Sequence, residues 1–356
     1  MPSCTLVAAV GFNPASILVT ARGMKTPPDH LVLLCTEQTE HVAQTVARQI
    51  GAIAPVILAY DTNPPIENAR TFLAENNYIP RDGEVILDIT GATKSLCLAL
   101  WLALSEIRTS FAAVYLEPDG RLRDARDGNP ILATPHITPE EVLAWHSSRI
   151  QTSSWRGASP GLPAHYRERH ALSKFLFSEF KNIAINTTGE ALRKETSPPF
   201  PPLPPGFLVE DVRLCEPPHT GFFSENKWLE EFCLAEACDV LDGAEDVEAV
   251  MGADVRPTGA FGIAKDEFDV VMVRGARIAV VEAKARSHAG GGGAELQKRV
   301  AKTKKFFGDP AKLVFVHPAY NAAALADNQA LVDSRTVRLV GDSIKDYRAA
   351  IRWALG

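Results

Sequence analysis

The chain begins with a regular alternation of apolar runs and amphipathic stretches. Apolar runs occupy 4–10, 30–36, 54–60, 83–89 and 111–117, and stretches with helical periodicity lie between them at about 38–50, 65–77 and 93–108. Strands that are apolar throughout and alternate with helices are typical of a parallel sheet covered by helices on both faces. The pattern therefore predicts an α/β domain with a parallel sheet over residues 1–145.

The pattern changes after residue 145. Residues 146–206 combine a polar linker, one helical stretch and a Pro-rich segment at 197–206 that favours a stiff extended spacer, so we interpret them as a connection. Over 207–356 the predicted order is a helix at about 224–241, a strand at about 246–256, a hairpin, a helix, a strand, a further helix, a strand and a terminal helix. This order predicts a second α/β domain whose first strands are mainly antiparallel.

The predicted hairpin at 266–285 contains charges that a buried strand pair does not need. If Gly275 and Ala276 form its two-residue turn, counting back places Asp269 opposite Glu282. Like charges directly opposed in a sheet are destabilising. Lys284 shares the face of Glu282, because side chains alternate along a strand.

Two interpretations of this cluster remain open. A structural salt-bridge triad is the simpler one. Alternatively, a divalent metal binds the two carboxylates and the backbone carbonyl of Ala283, because hard cations prefer oxygen ligands. Lys284 would then orient a water nucleophile or stabilise the charge that develops on a phosphate.

The helix at 224–241 offers a further acid. Glu230 lies on its apolar stripe and is a candidate third carboxylate, with a salt bridge at the pocket edge as the alternative. Its neighbour Glu231 falls beside Lys227 and is expected in solvent. Glu267, on the hairpin, is a candidate for an outer position around the same site.

Charge is unevenly distributed along the chain. The net charge of −6 argues against a protein that coats nucleic acid indiscriminately, yet residues 284–305 carry seven basic side chains and one acid, a local balance of +6. Lys298, Lys302 and Lys305 recur at helical spacing after the hairpin. Such a row is either a solvated helix face or a surface that holds a phosphodiester backbone.

A second chemical signal lies in the first domain. In "LDITGATKSL", residues 87–96, a strand ends, the chain turns at Gly91, and a helix begins around Thr93 and Lys94. Free amides at a helix start, with hydroxyls and a lysine, suit a phosphate or another anion, although a plain capping turn is also possible. The glycine spacing of an ATP-binding P-loop is missing. Polar loops at 10–14 and 35–39 follow the first two strands and would join this one in a polar platform.

Segment 228–316 resembles the PD-(D/E)xK nuclease superfamily in element order. Its motifs "WLEEF" (228–232), "DEFDV" (266–270) and "EAK" (282–284) are more closely similar to the nuclease domain fused to CARF sensor domains in type III CRISPR defence. The resemblance implies metal-site roles for Glu230, Asp269 and Glu282, and a catalytic role for Lys284. That family tends to have other residues where Asp266, Ala283 and Ala285 stand, but none of these differences removes a required side chain.

"TGATK" (90–94) resembles the CARF signature, which usually has Gly where Ala92 stands. This resemblance implies a Rossmann-like CARF domain that forms a homodimer and binds a cyclic oligoadenylate, with cyclic tetra-adenylate as the expected activator. Four ligand-binding residues carry over directly and three follow from loop position only. The first group is Thr90, Gly91, Thr93 and Lys94; the second is Asn13, Thr36 and Gln38.

These features together predict a cyclic-oligoadenylate-activated nuclease that uses manganese or magnesium to cleave DNA or RNA. Two alternatives remain: a non-catalytic sensor that grips nucleic acid, and a constitutive DNA-repair nuclease. Arg167 and Arg169 lie too close to His170 for a HEPN-type ribonuclease.

The remaining sequence features concern location. Six cysteines without paired spacing indicate reduced packing residues. The sequence has neither an apolar run of the ~20 residues that a membrane span needs nor an evident secretory signal. We therefore expect a cytoplasmic protein that does not associate with membranes.

Overall fold

The computed structural model divides into two compact units, Met1–Arg149 with Arg274–Arg277 and Ile150–Val273 with Ile278–Gly356. Among the described residues, no helix is both long and apolar enough to cross a membrane. The structure describes residues 3–24, 27–52, 55–60, 73, 79, 82–91, 93–108, 110–117, 121–132, 137–158, 162, 164–180, 183–185, 191–193, 204–206, 222, 227–241, 247–258, 266–285, 292–308 and 311–356.

The first unit is built on a sheet in the order β3-β2-β1-β4-β5-β6-β7. Strands β1 to β5 pair in parallel, and β6 and β7 add an antiparallel edge. The predicted parallel sheet is therefore confirmed. Its strands are β1 (Cys4–Val10), β2 (His30–Thr36), β3 (Val56–Tyr60), β4 (Glu84–Asp88), β5 (Ala112–Leu116), β6 (Leu122–Asp124) and β7 (Pro130–Leu132).

Helices in this unit follow the predicted alternation. The described ones are α1 (Ala15–Gly23), α2 (Glu40–Ile50), α3 (Lys94–Ile107) and α4 (Pro139–Trp145). The helix predicted at 65–77 lies outside the described residues except for Leu73, which is buried. Side chains from β1, β2, β4 and α3 form a core that includes Val7, Leu34 and Leu100.

The second unit contains a larger mixed sheet in the order β16-β15-β14-β13-β12-β8, with β9 also paired to β12. A separate two-stranded sheet joins β10 to β11. The strands are β8 (Ser148–Thr152), β9 (Trp155–Ala158), β10 (Ile183–Ile185), β11 (Ala191–Arg193), β12 (Val247–Pro257), β13 (Asp266–Arg274), β14 (Arg277–Ala283), β15 (Lys312–Val316) and β16 (Val337–Val340).

Five helices belong to the described part of this unit. Helix α6 lies against α5 and α9, and its Phe232 ring stacks on Phe177 with ring centroids 4.1 Å apart. The order of elements from α6 onward agrees with the predicted order. The helices are α5 (Ala164–Ser178), α6 (Lys227–Val240), α7 (Gly292–Phe307), α8 (Ala322–Gln329) and α9 (Ile344–Leu355).

The segment 146–206 differs from the predicted connection. Its strand β9 pairs with β12, with Trp155 opposite Met251, and its helix α5 packs on α6 through buried Leu172 and Leu176. Strand β8 also pairs with β12. Its polar sequence concealed its place in the sheet, because an edge strand with exposed side chains has the composition of a linker. The Pro-rich spacer at 197–206 lies outside the described residues, apart from 204–206.

The stacked aromatic pair generates a stability prediction. Phe232→Ala removes a fully buried ring, so we expect the free energy of unfolding of the second unit to fall by about 3–5 kcal/mol. Denaturant titration measures this change. Leu331→Ala is the control, because Leu331 is 54% exposed and its loss should change stability by about 0.5 kcal/mol or less. Equal effects of the two substitutions would contradict this description of the core.

Candidate functional site

The β13–β14 hairpin brings its predicted polar side chains together. Gly275 begins the turn with a φ of 54°, a left-handed conformation that favours glycine. The backbone N–H of Ala283 donates to Asp269 Oδ2 over 2.6 Å. Lys284 Nζ lies 3.7 Å from Asp269 Oδ2 and 3.9 Å from Glu282 Oε2. The lysine thus faces both carboxylates, as the register predicts.

Glu282 has no exposed side-chain surface and is surrounded by cations from α7. Lys302 Nζ donates to its Oε1 over 3.1 Å, and Arg299 Nη1 lies 2.7 Å from its Oε2. Burial, and then the Asp269 carboxylate, raise the pKa of Glu282 to about 7 against the influence of these cations. Additional positive charge near Glu282 would therefore stabilise its ionised form.

Sequence reasoning missed Arg299. The side chain lies three residues after Leu296 and four before Thr303, both of which are buried, so it belongs to the inward stripe of α7. A charged residue on such a stripe, next to a strand with a buried acid, is the signal that could have identified it.

Lys302 corrects the prediction of an exposed basic row. Only 8% of Lys302 is exposed; its Nζ donates to the Glu267 carbonyl and lies 3.9 Å from the centre of the Phe268 ring. Burial also lowers its pKa. Lys298 and Lys305 are exposed, so the predicted row is interrupted. Helical spacing alone does not reveal which face of a helix meets the sheet, and the buried Glu282 requires a cation there.

The two neighbouring acids of α6 have different surroundings. Burial, and then the Asp269 and Glu267 charges, raise the pKa of Glu230 to about 9, which places this acid in the field of the hairpin carboxylates. Glu231 is 4% exposed and accepts two hydrogen bonds from Arg169, at 2.6 and 3.1 Å. The expectation that Glu231 lies in solvent is therefore wrong, because α5 covers this side of α6.

The hairpin carboxylates fit a divalent cation only in part. Asp269 and Glu282 are buried acids that face the same lysine, and burial, followed by the Asp269 charge, raises the pKa of Glu282, an effect that a bound cation would oppose. Glu230 feels the charge of Asp269, but the three acids do not form a group with ligand atoms within 4.8 Å of one another. Within the described residues, the group of three acid or imidazole side chains with ligand atoms inside 4.8 Å is a different one, His170, Glu236 and Asp239.

That other group already has its charges balanced. Buried Glu236 contacts His170 Nε2 at 2.9 Å and Lys174 Nζ at 3.1 Å, and it also pairs with Arg348. Although burial raises its pKa, these hydrogen bonds and charges lower it to about 2. Because several cations already occupy its oxygens, we interpret Glu236 as a structural link between α5, α6 and α9.

The polar loops of the first unit lie at one edge of its sheet. Strands β2, β1 and β4 are parallel neighbours, so the segments after Val10, Thr36 and Asp88 leave the sheet at the same edge. The strand order also reverses between β1 and β4, and ligands of open α/β sheets bind outside the carboxyl ends of strands at such a point.

Hydrogen bonds fix the loop after β4. Thr90 donates its backbone N–H to Asp88 Oδ1 over 2.8 Å, and its hydroxyl accepts the Leu116 N–H over 2.8 Å. A Cβ on Gly91 would lie 3.0 Å from the Ala9 carbonyl oxygen, so this residue allows the loop to approach β1. Thr93 caps α3, and Lys94 is exposed beside it.

The other predicted ligand residues of this edge have separate partners or remain exposed. Asn13 Oδ1 accepts the Ala15 N–H over 3.1 Å, and the Thr36 N–H donates to the Thr39 hydroxyl over 3.1 Å. Gln38 is exposed. The edge thus presents exposed polar side chains on a framework that hydrogen bonds hold in place.

Comparison with known proteins places the fold. No family model and no curated protein matches the sequence. Among solved structures, protein VC1899 from Vibrio cholerae superposes with a TM-score of 0.71 at 13% identity, covering 99% of this chain and 98% of its own. Can2 from Sulfobacillus thermosulfidooxidans, solved in complex with cyclic tetra-adenylate, gives 0.66 at 14% identity and covers 99% of both chains.

A third likeness is partial. A type III CRISPR defence DNA nuclease activated by cyclic oligoadenylate gives a TM-score of 0.56 at 18% identity, covering 89% of this chain but 46% of that one. The predicted fold class, α/β with a parallel sheet in the first domain and a second α/β domain after it, is confirmed by the structure and these likenesses. The likeness to Can2 and to this type III CRISPR defence nuclease is a likeness of fold.

The Glu236 cluster generates a pH prediction. Because the folded-state pKa lies below the ordinary value of 4.5, the ionised carboxylate stabilises the fold above that value, and this stabilisation is lost as pH falls towards about 2. Glu236→Gln should cost about 3 kcal/mol at neutral pH, since it removes the buried carboxylate charge that pairs with Lys174 and Arg348. Urea titrations at several pH values measure the difference, which should shrink below pH 4.5. A difference independent of pH would contradict this role.

Proposed function

We propose that this protein is a metal-dependent nuclease activated by a cyclic oligoadenylate, with cyclic tetra-adenylate as the activator. The observation that carries the proposal is the presence, in one chain, of a sheet edge with an exposed lysine at a helix start and a buried Asp269–Glu282–Lys284 cluster. Support also comes from Can2, which has the same fold over its full length and was solved with cyclic tetra-adenylate.

The proposed sensor site uses the edge formed after β1, β2 and β4. Exposed Lys94 stands at the first position of α3, where the free amides of a helix start already favour a phosphate. Thr93 and Gly91 bring backbone close to the same place. Asn13, Thr36 and Gln38 would contact the ligand from the adjoining loops.

An exposed stripe on α3 supports a homodimer as part of the proposal. Lys94, Leu98 and Leu102 succeed one another at four-residue intervals, so they share one helix face. Leu98 is 51% exposed and Leu102 is 40% exposed, which is unusual for large apolar side chains beside each other. A second copy of the chain would cover them and bring two Lys94 side chains to a two-fold axis, matching the symmetry of a cyclic ligand.

In the nuclease centre, Asp269, Glu282 and the Ala283 carbonyl would hold a divalent cation, manganese or magnesium, with Glu230 as the third acid. Such a cation would supply a Lewis acid for the scissile phosphate and for a water molecule. Lys284 would orient the water or stabilise the negative charge that develops on the phosphate oxygens. Hydrolysis would form one P–O bond to the water oxygen and break one P–O ester bond, and the proton released by the water would balance the leaving oxygen, giving a phosphate monoester and a hydroxyl end.

One observation favours a second candidate. Arg299 and Lys302 already neutralise Glu282, as expected of a structural salt bridge in a non-catalytic sensor that grips nucleic acid. Lys284 between two carboxylates favours the catalytic proposal instead. Gating requires that the activator bind the active arrangement more tightly than the inactive one.

Cleavage assays decide between the candidates. Purified protein with manganese or magnesium should cleave single-stranded DNA or RNA only when cyclic tetra-adenylate is added. The same assay with cyclic hexa-adenylate as activator, and with double-stranded substrates, compares activators and substrates. Lys284→Ala should reduce the rate by about 100-fold or more while leaving melting temperature and activator binding unchanged. Cleavage without activator would contradict gating, and an active Lys284→Ala variant would contradict the assigned site.

Lys94 provides a separate test of the sensor site. Lys94→Ala should weaken cyclic tetra-adenylate binding by about tenfold, because a charged hydrogen bond to phosphate is lost. Arg48→Ala is the matched control, since Arg48 is an exposed cation in the last turn of α2, at the opposite end from the loop edge. Isothermal titration calorimetry gives both affinities. Equal affinities for the two variants would show that the ligand binds elsewhere.

A further inference from the structure

The two cations that α7 contributes to Glu282 differ in how fully they are bound. Lys302 Nζ donates to a carbonyl oxygen and to Glu282 Oε1, and it also lies over the Phe268 ring. These contacts come from both strands of the hairpin. Lys302 is therefore a fixed part of the second unit.

Arg299 is held less completely. Its Nη1 lies 2.7 Å from Glu282 Oε2, yet this oxygen accepts no hydrogen bond from the described residues, so the contact is an ion pair without an aligned donor. Its Nε is buried and has no hydrogen-bond partner among the same residues. The second contact, from Nη2 to Glu295 Oε1, spans 3.7 Å. A buried donor without an acceptor is costly, so this guanidinium gains by changing partners.

The contacts around Asp269 and Glu282 indicate which basic side chain a divalent cation would displace. Around the Asp269 and Glu282 carboxylates stand three cations, Lys284, Arg299 and Lys302. A divalent cation on the same carboxylates would raise the repulsion sharply. Lys302 is fixed by several contacts and Lys284 lies between both acids. Arg299 has no aligned hydrogen bond to Glu282, its buried Nε has no acceptor among the described residues, and its side chain is 20% exposed, which provides a route outward.

We propose that Arg299 competes with a divalent cation for Oε2 of Glu282 and, once displaced, binds a phosphate of the nucleic-acid substrate. The inference rests on the proposed nuclease function and adds a regulating residue to that site. A guanidinium suits the second role, because its planar donors match two phosphate oxygens at once. Arg299 therefore weakens metal binding in the absence of substrate and strengthens substrate binding once the metal is present.

The test measures these two opposite effects in the full-length chain. In a calorimetric titration with manganese chloride and no nucleic acid, we expect Arg299→Met to bind Mn²⁺ at least about tenfold more tightly than wild type does. In fluorescence anisotropy with cyclic tetra-adenylate, and with calcium replacing manganese, the same variant should bind single-stranded DNA and RNA oligonucleotides about tenfold more weakly.

Matched variants make each outcome decisive. Lys304→Met removes an exposed positive charge from the same helix and should leave the Mn²⁺ affinity unchanged. Arg299→Gln, which keeps a polar side chain, should reproduce the tighter Mn²⁺ binding if Arg299→Met folds poorly. An unchanged or weaker Mn²⁺ affinity overturns the competition, as does the absence of Mn²⁺ binding in wild type and variant alike. Unchanged oligonucleotide affinity overturns the phosphate role.

The proposed role of Arg299 and the proposed nuclease function can be contradicted independently. The manganese titration contains no nucleic acid and measures no cleavage, so tighter binding by Arg299→Met would support the competition even in a protein that cleaves nothing. Conversely, activator-dependent cleavage with identical Mn²⁺ affinities would preserve the proposed function and remove Arg299 from its regulation.

Discussion

Glu282 is a carboxylate without exposed surface on β14, a strand flanked by β13 and β15, and three basic side chains surround its charge. An unpaired carboxylate at this depth would cost several kcal/mol. Lys284 from the end of the same strand and Arg299 and Lys302 from α7 supply the compensation. The position of α7 over the sheet is thus set by electrostatics as well as by its apolar residues, such as Leu296 and Phe306.

The two units handle charge in different ways. In the second unit, buried acids are neutralised by basic side chains of the same chain, so an incoming cation must displace one of them. In the first unit, the loop edge offers backbone amides, hydroxyls and the exposed Lys94, and buried Asp88 is used to hold the loop through Thr90 and Thr20. Lys94 and the hydroxyls of this edge remain accessible to an external anion. This difference is compatible with the proposed function, in which the first unit binds a phosphate-rich ligand and the second binds a metal ion.

Local rules account for what the sequence predicted correctly. A two-residue turn fixes the register of a hairpin, so the meeting of Asp269, Glu282 and Lys284 follows from counting, and alternating apolar runs and helices specify the parallel sheet. Three features depend on tertiary packing instead. Helical spacing did not show that Arg299 and Lys302 face the sheet, the polarity of β8 concealed an edge strand, and Glu231 is buried because α5 covers it. Each of these requires knowing which elements become neighbours.

The most direct test of the central claim is anomalous diffraction from crystals grown with manganese and cyclic tetra-adenylate. We expect an anomalous peak between Asp269 and Glu282, with the Arg299 guanidinium no longer in contact with Glu282. A manganese peak at His170, Glu236 and Asp239 instead, or an Arg299–Glu282 ion pair that persists beside manganese at the hairpin, would contradict it.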